Sequence, residues 1–289
     1  MRVVTDSGTD LSLSPEELAE LNIHVVPLSV TLEGKSYREG VDIRTDEFYK
    51  LLTATDSLPT TSQPSPGDFA NIYRRLAADD HDILSIHMSS GLSGTFNSAK
   101  LGAESVPDAR VMLVDTKTLS AAAGWQVIAA ARAIKAGWTK EKILILLERI
   151  KSASESIYTL DELKYLIHGG RISHMKGLIA SLLNIKPLIG VEKVRGTYVQ
   201  LGQLRTFKRA IEGLVDLITR RHSPGSALRT QVLHTQNPEG ANMLYELIDK
   251  RFKCNWLPID NISLVLGAHT GTSMVGVVYA PQEEFSDIP

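Results

Sequence analysis

The 289-residue sequence predicts an α/β protein in two parts: an N-terminal parallel sheet flanked by helices, then a mixed-sheet α/β part. Two observations carry this reading. Short apolar strands such as Arg2-Val3-Val4-Thr5-Asp6 alternate with helical patterns through the first half. Parallel strands need crossover connections, and the crossover helices then shield both faces of the sheet. After about residue 155 the alternation gives way to adjoining extended segments suited to antiparallel pairing. The chain also exceeds the roughly 100 to 200 residues of one average domain, so a division into 1–155 and 156–289 is expected.

Taken in order, a strand at about 2–6 leads to a helix announced by Ser14-Pro15-Glu16-Glu17, a capping box with proline at the first helical position. Extended segments follow near 23–31 and 35–38, then a helix near 45–54 and another beginning at Ser65-Pro66-Gly67-Asp68. Next come a buried strand at 82–88, a helix at about 94–104, a strand at 110–114, and helices near 118–136 and 139–151. In the second part, Ile157 to Leu160 reads as a crossing strand, and extended pieces at 184–191 and 197–204 can pair. A helix at 207–221, a strand at 228–234, a helix at 239–252, and strands at 256–259, 262–266 and 274–279 complete the chain.

Composition narrows the function. With 43% hydrophobic and 22% charged residues the chain has the make-up of a soluble globule. Its 31 basic and 33 acidic residues are interspersed and sum to −2, too weak a field to gather nucleic acid or an anionic bilayer. No window approaches the ~20 apolar residues that span a membrane, so no integral membrane association is expected. The single cysteine, Cys254, permits neither an internal disulfide nor a cysteine-built zinc site. That, with an N-terminus that opens on a strand pattern rather than on a secretory signal, predicts a cytoplasmic protein.

The chemistry concentrates at glycine turns and hydroxyl loops. Ser89-Ser90-Gly91-Leu92-Ser93-Gly94-Thr95 follows the strand at 82–88 and opens a helix, where open parallel sheets place their ligands. Its glycines let the backbone close on an anion, and Ser93 and Thr95 offer hydroxyl donors. Thr60-Thr61-Ser62-Gln63-Pro64-Ser65-Pro66 packs more hydroxyls into a proline-stiffened loop, although Ser65 and Pro66 also make an ordinary helix start. Ile262 to Gly271 reads as a strand ending in a glycine turn, with His269 placed where a ligand would sit. Arg171 follows a glycine pair and Arg205 stands at a strand-to-helix junction. Enzyme signatures are sparse. The nucleophile-elbow pattern around Ser93 lacks its second glycine, since Thr95 stands there, and phosphate-loop, dinucleotide and H-E-x-x-H patterns are missing. No metal site is expected.

Read together, Val4-Thr5-Asp6-Ser7, Thr60 to Ser65, Ser90 to Thr95, Gly169-Gly170-Arg171-Ile172, Ile185-Lys186-Pro187 and Gly267 to Gly271 resemble the DegV family of bacterial fatty acid-binding proteins. The resemblance spans nearly the whole chain. It implies a two-domain DegV-like α/β protein that holds one long-chain, palmitate-like fatty acid in a buried pocket between its domains, with no cofactor. Some relatives, called FakB, present the fatty acid to a separate fatty acid kinase that makes acyl phosphate for phospholipid synthesis. By motif matching, Thr61, Ser62, Ser93, Gly94, Thr95 and His269 would bind the carboxylate, while Arg171 and Arg205 would lie at the pocket mouth or the kinase-docking face. The chain would then be a non-catalytic carrier. Two other readings stand beside it: an enzyme acting on a small phosphorylated or ester substrate through Ser93 and His269, and a lipid-sensing interaction module.

Overall fold

The computed structural model describes residues 1–175 and 185–289. In the first part the strands are β1 (Arg2–Asp6), β2 (Ile23–Val26), β3 (Ser29–Leu32), β4 (Lys35–Arg38), β5 (Thr60–Ser62), β6 (Asp82–His87) and β7 (Arg110–Asp115). β2-β1-β6-β7 form one parallel sheet in that order. Its strands are apolar because helices cover them: Val3, Val4, Ile83, Leu84 and Ile86 are all buried. The capping box at Ser14 is present, with reciprocal hydrogen bonds between Ser14 and Glu17. Ser65 and Asp68 repeat the arrangement at the start of the helix Pro66–Ala77.

The second part carries β8 (Glu155–Thr159), β9 (Lys186–Val191), β10 (Tyr198–Leu204), β11 (Ala227–His234), β12 (Lys253–Trp256), β13 (Asp260–Asn261) and β14 (Val275–Pro281). Their sheet is mixed, in the order β10-β9-β8-β14-β11-β12, with β13 beside β11. β9 and β10 pair antiparallel, as their adjacency in sequence predicts. Of the extended piece expected at 184–191, residue 184 lies outside the described residues and the strand begins at Lys186. One cluster of buried side chains joins the two sheets, running from Val3 and Leu84 to Ile189, Leu233 and Val278.

Three local expectations need correction. The apolar stretch at 262–266 is no strand: it enters the helix Leu264–Thr270, and His269 sits in that helix's last turn. A short apolar run fits either state, and here capping decides. Ser263 Oγ accepts from Leu266 N, while the carboxylates of Asp10 and Glu39, distant in sequence, accept from Ser263 N and Leu264 N. The strand expected at 256–259 instead ends at Trp256, because it follows β11 in parallel only over Lys253–Trp256 and proline occupies position 258. Finally, the hydroxyl loop at 60–66 begins as a strand. β5 completes a small antiparallel sheet, β4-β3-β5, that sequence reading left unassembled.

Candidate functional site

The helix Leu264–Thr270 packs against β3, β5 and the short helix Lys164–His168, which carries His269 from the second part of the chain into the first. There four predicted residues line one cavity: Thr61, Ser93, Arg171 and His269. Each arrives for a local reason. Thr61 projects inward because it pairs with the buried Val30 on β3, whereas the next residue, Ser62, points the opposite way. Ser62 is exposed and lines neither described chamber, so strand alternation turns it away from the constellation that the sequence grouped. Ser93 follows β6 through the turn Ser89–Leu92 and precedes the helix Thr95–Glu104.

The polar groups are organised by hydrogen bonds. Ser93 Oγ and Thr95 Oγ1 lie 2.8 Å apart, and Thr95 N donates back to Ser93 Oγ. Gly94 occupies the N-cap without a side-chain hydrogen bond, so the first N–H groups of this ten-residue helix stand beside Ser93 with the positive end of the helix dipole. The amide of Gln63, at the end of a flexible exposed side chain, packs over Gly94, 2.5 Å from where a β-carbon would be. His269 Nε2 lies 2.8 Å from Thr61 Oγ1. Its Nδ1 is buried and has no partner. An orphaned acceptor lone pair costs less than an orphaned N–H, so the proton belongs on Nε2, which donates to Thr61 and leaves the Thr61 hydroxyl free to donate onward. Burial, then the nearby Arg171 and His168, push the His269 pKa down to about 4, keeping the ring neutral at neutral pH.

Gly169 makes this placement possible. A β-carbon there would come within 2.0 Å of His269 Nδ1, so the glycine pair before Arg171 is where the imidazole seats. Arg171 reaches the cavity half-buried, donating to Gly169 O at 2.6 Å and Leu92 O at 3.4 Å. No described carboxylate pairs with it, which leaves its guanidinium charge to the cavity. Arg205 is different: it is exposed after the end of β10 and lines none of the described pockets. Thr95 is fully buried, its hydroxyl engaged by Ser93. No hydrogen bond joins Ser93 to His269, so the nucleophile–base pair of a hydrolase is not assembled among the described residues.

Beyond this polar chamber lies a second, apolar one between the sheets. Leu119, Tyr198 and Leu266 line both, forming a waist, and Leu233, Ile262 and Val277 are among the residues beyond it. The two chambers measure about 40 and 30 Å³ and adjoin at the three shared wall residues. The sequence gives none of these apolar residues a part in the site. They carry no signal of their own, since a tunnel wall and a packed core use the same side chains.

A parallel sheet with a hydroxyl turn at its strand end, joined to a mixed sheet over a narrow apolar path, defines a two-part α/β protein with an amphipathic internal site. The chain belongs to the DegV family: the family model described as "Uncharacterised protein, DegV family" matches residues 1–282. The DegV domain-containing protein lin2658 of Listeria innocua is 34% identical over 280 residues, 96% of this chain and 97% of the relative. A Thermus thermophilus DegV family protein described for its fatty acid binding superposes with TM-score 0.86 at 30% identity, covering 97% of this chain and 99% of its own. DegV from Bacillus subtilis, described as a fatty acid binding protein, gives TM-score 0.86 at 31% identity over 97% and 99% of the two chains.

Proposed function

We propose that the protein binds one long-chain fatty acid, with the carboxylate at Thr61, Ser93, Gly94, Thr95 and His269 and the tail in the apolar chamber. The observation that carries this reading is that a donor-bearing chamber and an apolar one share the wall residues Leu119, Tyr198 and Leu266. A carboxylate leaves water at high cost unless several donors receive it. The hydroxyls of Thr61 and Ser93 and the helix-start N–H groups beyond Thr95 N supply donors, with the charge of Arg171 alongside. The tail provides most of the affinity: about fifteen methylenes at roughly 0.8 kcal/mol each give a gross drive near 12 kcal/mol before ordering costs. Both chambers are small beside such a tail, so loading spreads the side chains at the waist.

In this reading the protein is a cytoplasmic, non-catalytic carrier whose parts, 1–155 and 156–289, close over the tail. A separate fatty acid kinase supplies ATP and metal. The bound carboxylate oxygen attacks the γ-phosphoryl group, an O–P bond forms, ADP leaves, and acyl phosphate results. Hydroxyl donors suit this step because they hold the carboxylate without fully neutralising it. Arg171 and Arg205 are assigned to the mouth and the docking face. The test is mass spectrometry of denatured, freshly purified protein. A long-chain fatty acid near one per chain is expected; a protein that arrives empty and takes up no added palmitate overturns the reading. Incubation with ATP alone should give no acyl phosphate until a kinase is added.

A further inference from the structure

The apolar chamber holds a polar feature that a plain hydrocarbon tail does not use. Tyr158, on β8, is 7% exposed and lines this chamber, yet its hydroxyl is buried without a hydrogen-bond partner. Tyr198, on β10, stands at the waist, and the two rings meet edge to face with centroids 5.7 Å apart. The Tyr198 phenol is within reach of the Tyr158 hydroxyl, at a geometry that falls short of a good hydrogen bond. A saturated tail sliding past leaves the Tyr158 hydroxyl orphaned, and a buried orphan donor is the costly state that native interiors avoid.

We propose, building on the fatty acid reading above, that the preferred ligand is an oxygenated long-chain fatty acid, carrying a hydroxyl or oxo group beyond the waist where Tyr158 donates to it. Of the other hydroxyls lining the chamber, Ser120 donates to Asp10 and Thr270 to the Leu266 carbonyl; Ser156 and Tyr198 line it too, but Tyr158 is the one among them whose oxygen is fully buried without a partner. Tyr158 therefore sets the position of the oxygen along the chain. A double bond at that depth serves less well, because a π face is a weaker acceptor than an oxygen lone pair.

The experiment measures equilibrium binding of stearate and of a series of monohydroxystearates, differing in which carbon bears the hydroxyl, to the wild type, Tyr158→Phe and Tyr198→Phe. One mid-chain isomer is expected to bind the wild type about tenfold tighter than stearate, as one satisfied buried hydrogen bond allows. Tyr158→Phe should erase that preference while keeping stearate affinity, since it preserves the ring. Tyr198→Phe, which removes the neighbouring phenol at the waist, should leave the same isomer preferred over stearate, whatever it does to the absolute affinities. If every isomer binds no better than stearate, or the preference survives in Tyr158→Phe, the oxygenated-ligand proposal is overturned while the fatty acid reading stands; an internal water satisfying Tyr158 would give this result. If no fatty acid binds at all, the underlying reading falls first.

Discussion

At the scale of single residues, His269 and Glu39 hold opposite ends of the same helix and respond to pH in opposite directions. The His269 pKa falls from 6.5 to about 4, through burial first and Arg171 second. A depressed histidine value means that the unfolded chain takes up the proton first. The stability that this neutral ring contributes is full above about pH 6.5 and is lost as pH falls toward 4, a difference on the order of 3 kcal/mol. Replacing His269 with Gln should flatten that part of the stability curve in urea titrations and weaken palmitate binding about tenfold, by freeing Thr61 from its orienting partner. Glu39 goes the other way. Burial raises its pKa from 4.5 to about 8, with the neighbouring Asp10, itself raised to about 7, adding to the effect. Its favourable contribution is therefore present at acid pH and lost as pH rises through about 8. Glu39→Gln should become more stable than the wild type by a few kcal/mol above that pH and should lose the advantage below about pH 4.5. A thermal-midpoint series from pH 4 to 9 that shows a constant gap would contradict this.

At the scale of elements, the site depends on close approaches that leave no room for a methyl group. Gly169→Ala introduces a β-carbon 2.0 Å from the His269 ring at a position whose backbone is ordinary, so the ring and not the chain must yield. Near-wild-type circular dichroism with fatty acid affinity reduced at least fivefold is expected; unchanged affinity would show that the Thr61–His269 contact is dispensable. β1 and β6 are tied by a buried polar ladder. Asp6 accepts from Gly8 N and Met88 N and meets His87 at 3.0 Å; His87 meets Ser85, and Ser85 meets Tyr73, both at 2.7 Å. All of Asp6, His87 and Ser85 are fully buried, and the series holds β6 and Met88 at the floor of the polar chamber. Asp6→Ala strands several donors at once and should destabilise the fold by about 3 to 5 kcal/mol in chemical denaturation.

At the scale of the whole molecule, the proposed ligand path lies among residues of the shared core. Side chains of both sheets belong to one buried cluster, and the waist residues Leu119 and Leu266 are members of it. Binding therefore couples directly to global stability. Palmitate at a hundred times its Kd should stabilise the native state by about 2.7 kcal/mol and raise the melting temperature by several degrees. Shortening the acyl chain should erode this shift more than Ser93→Ala does, because tail burial outweighs one hydroxyl contact. The reverse ranking would argue for recognition dominated by the head group.

What the sequence by itself determined is the alternation of strands and helices, the caps at Ser14 and Ser65, the hydroxyl turn at Ser93 and the family, because these rest on local spacing and residue chemistry. Only the tertiary structure decided that Thr61 turns inward and Ser62 outward, that Ile262–Leu266 leads into a helix, and that Leu119, Tyr198 and Leu266 frame a passage. The helix start at Leu264 depends on partners more than two hundred residues away, the Asp10 and Glu39 carboxylates that cap it. Apolar side chains read alike whether they fill a core or surround a ligand, so the position of the tunnel is a property of packing and leaves no mark in one dimension.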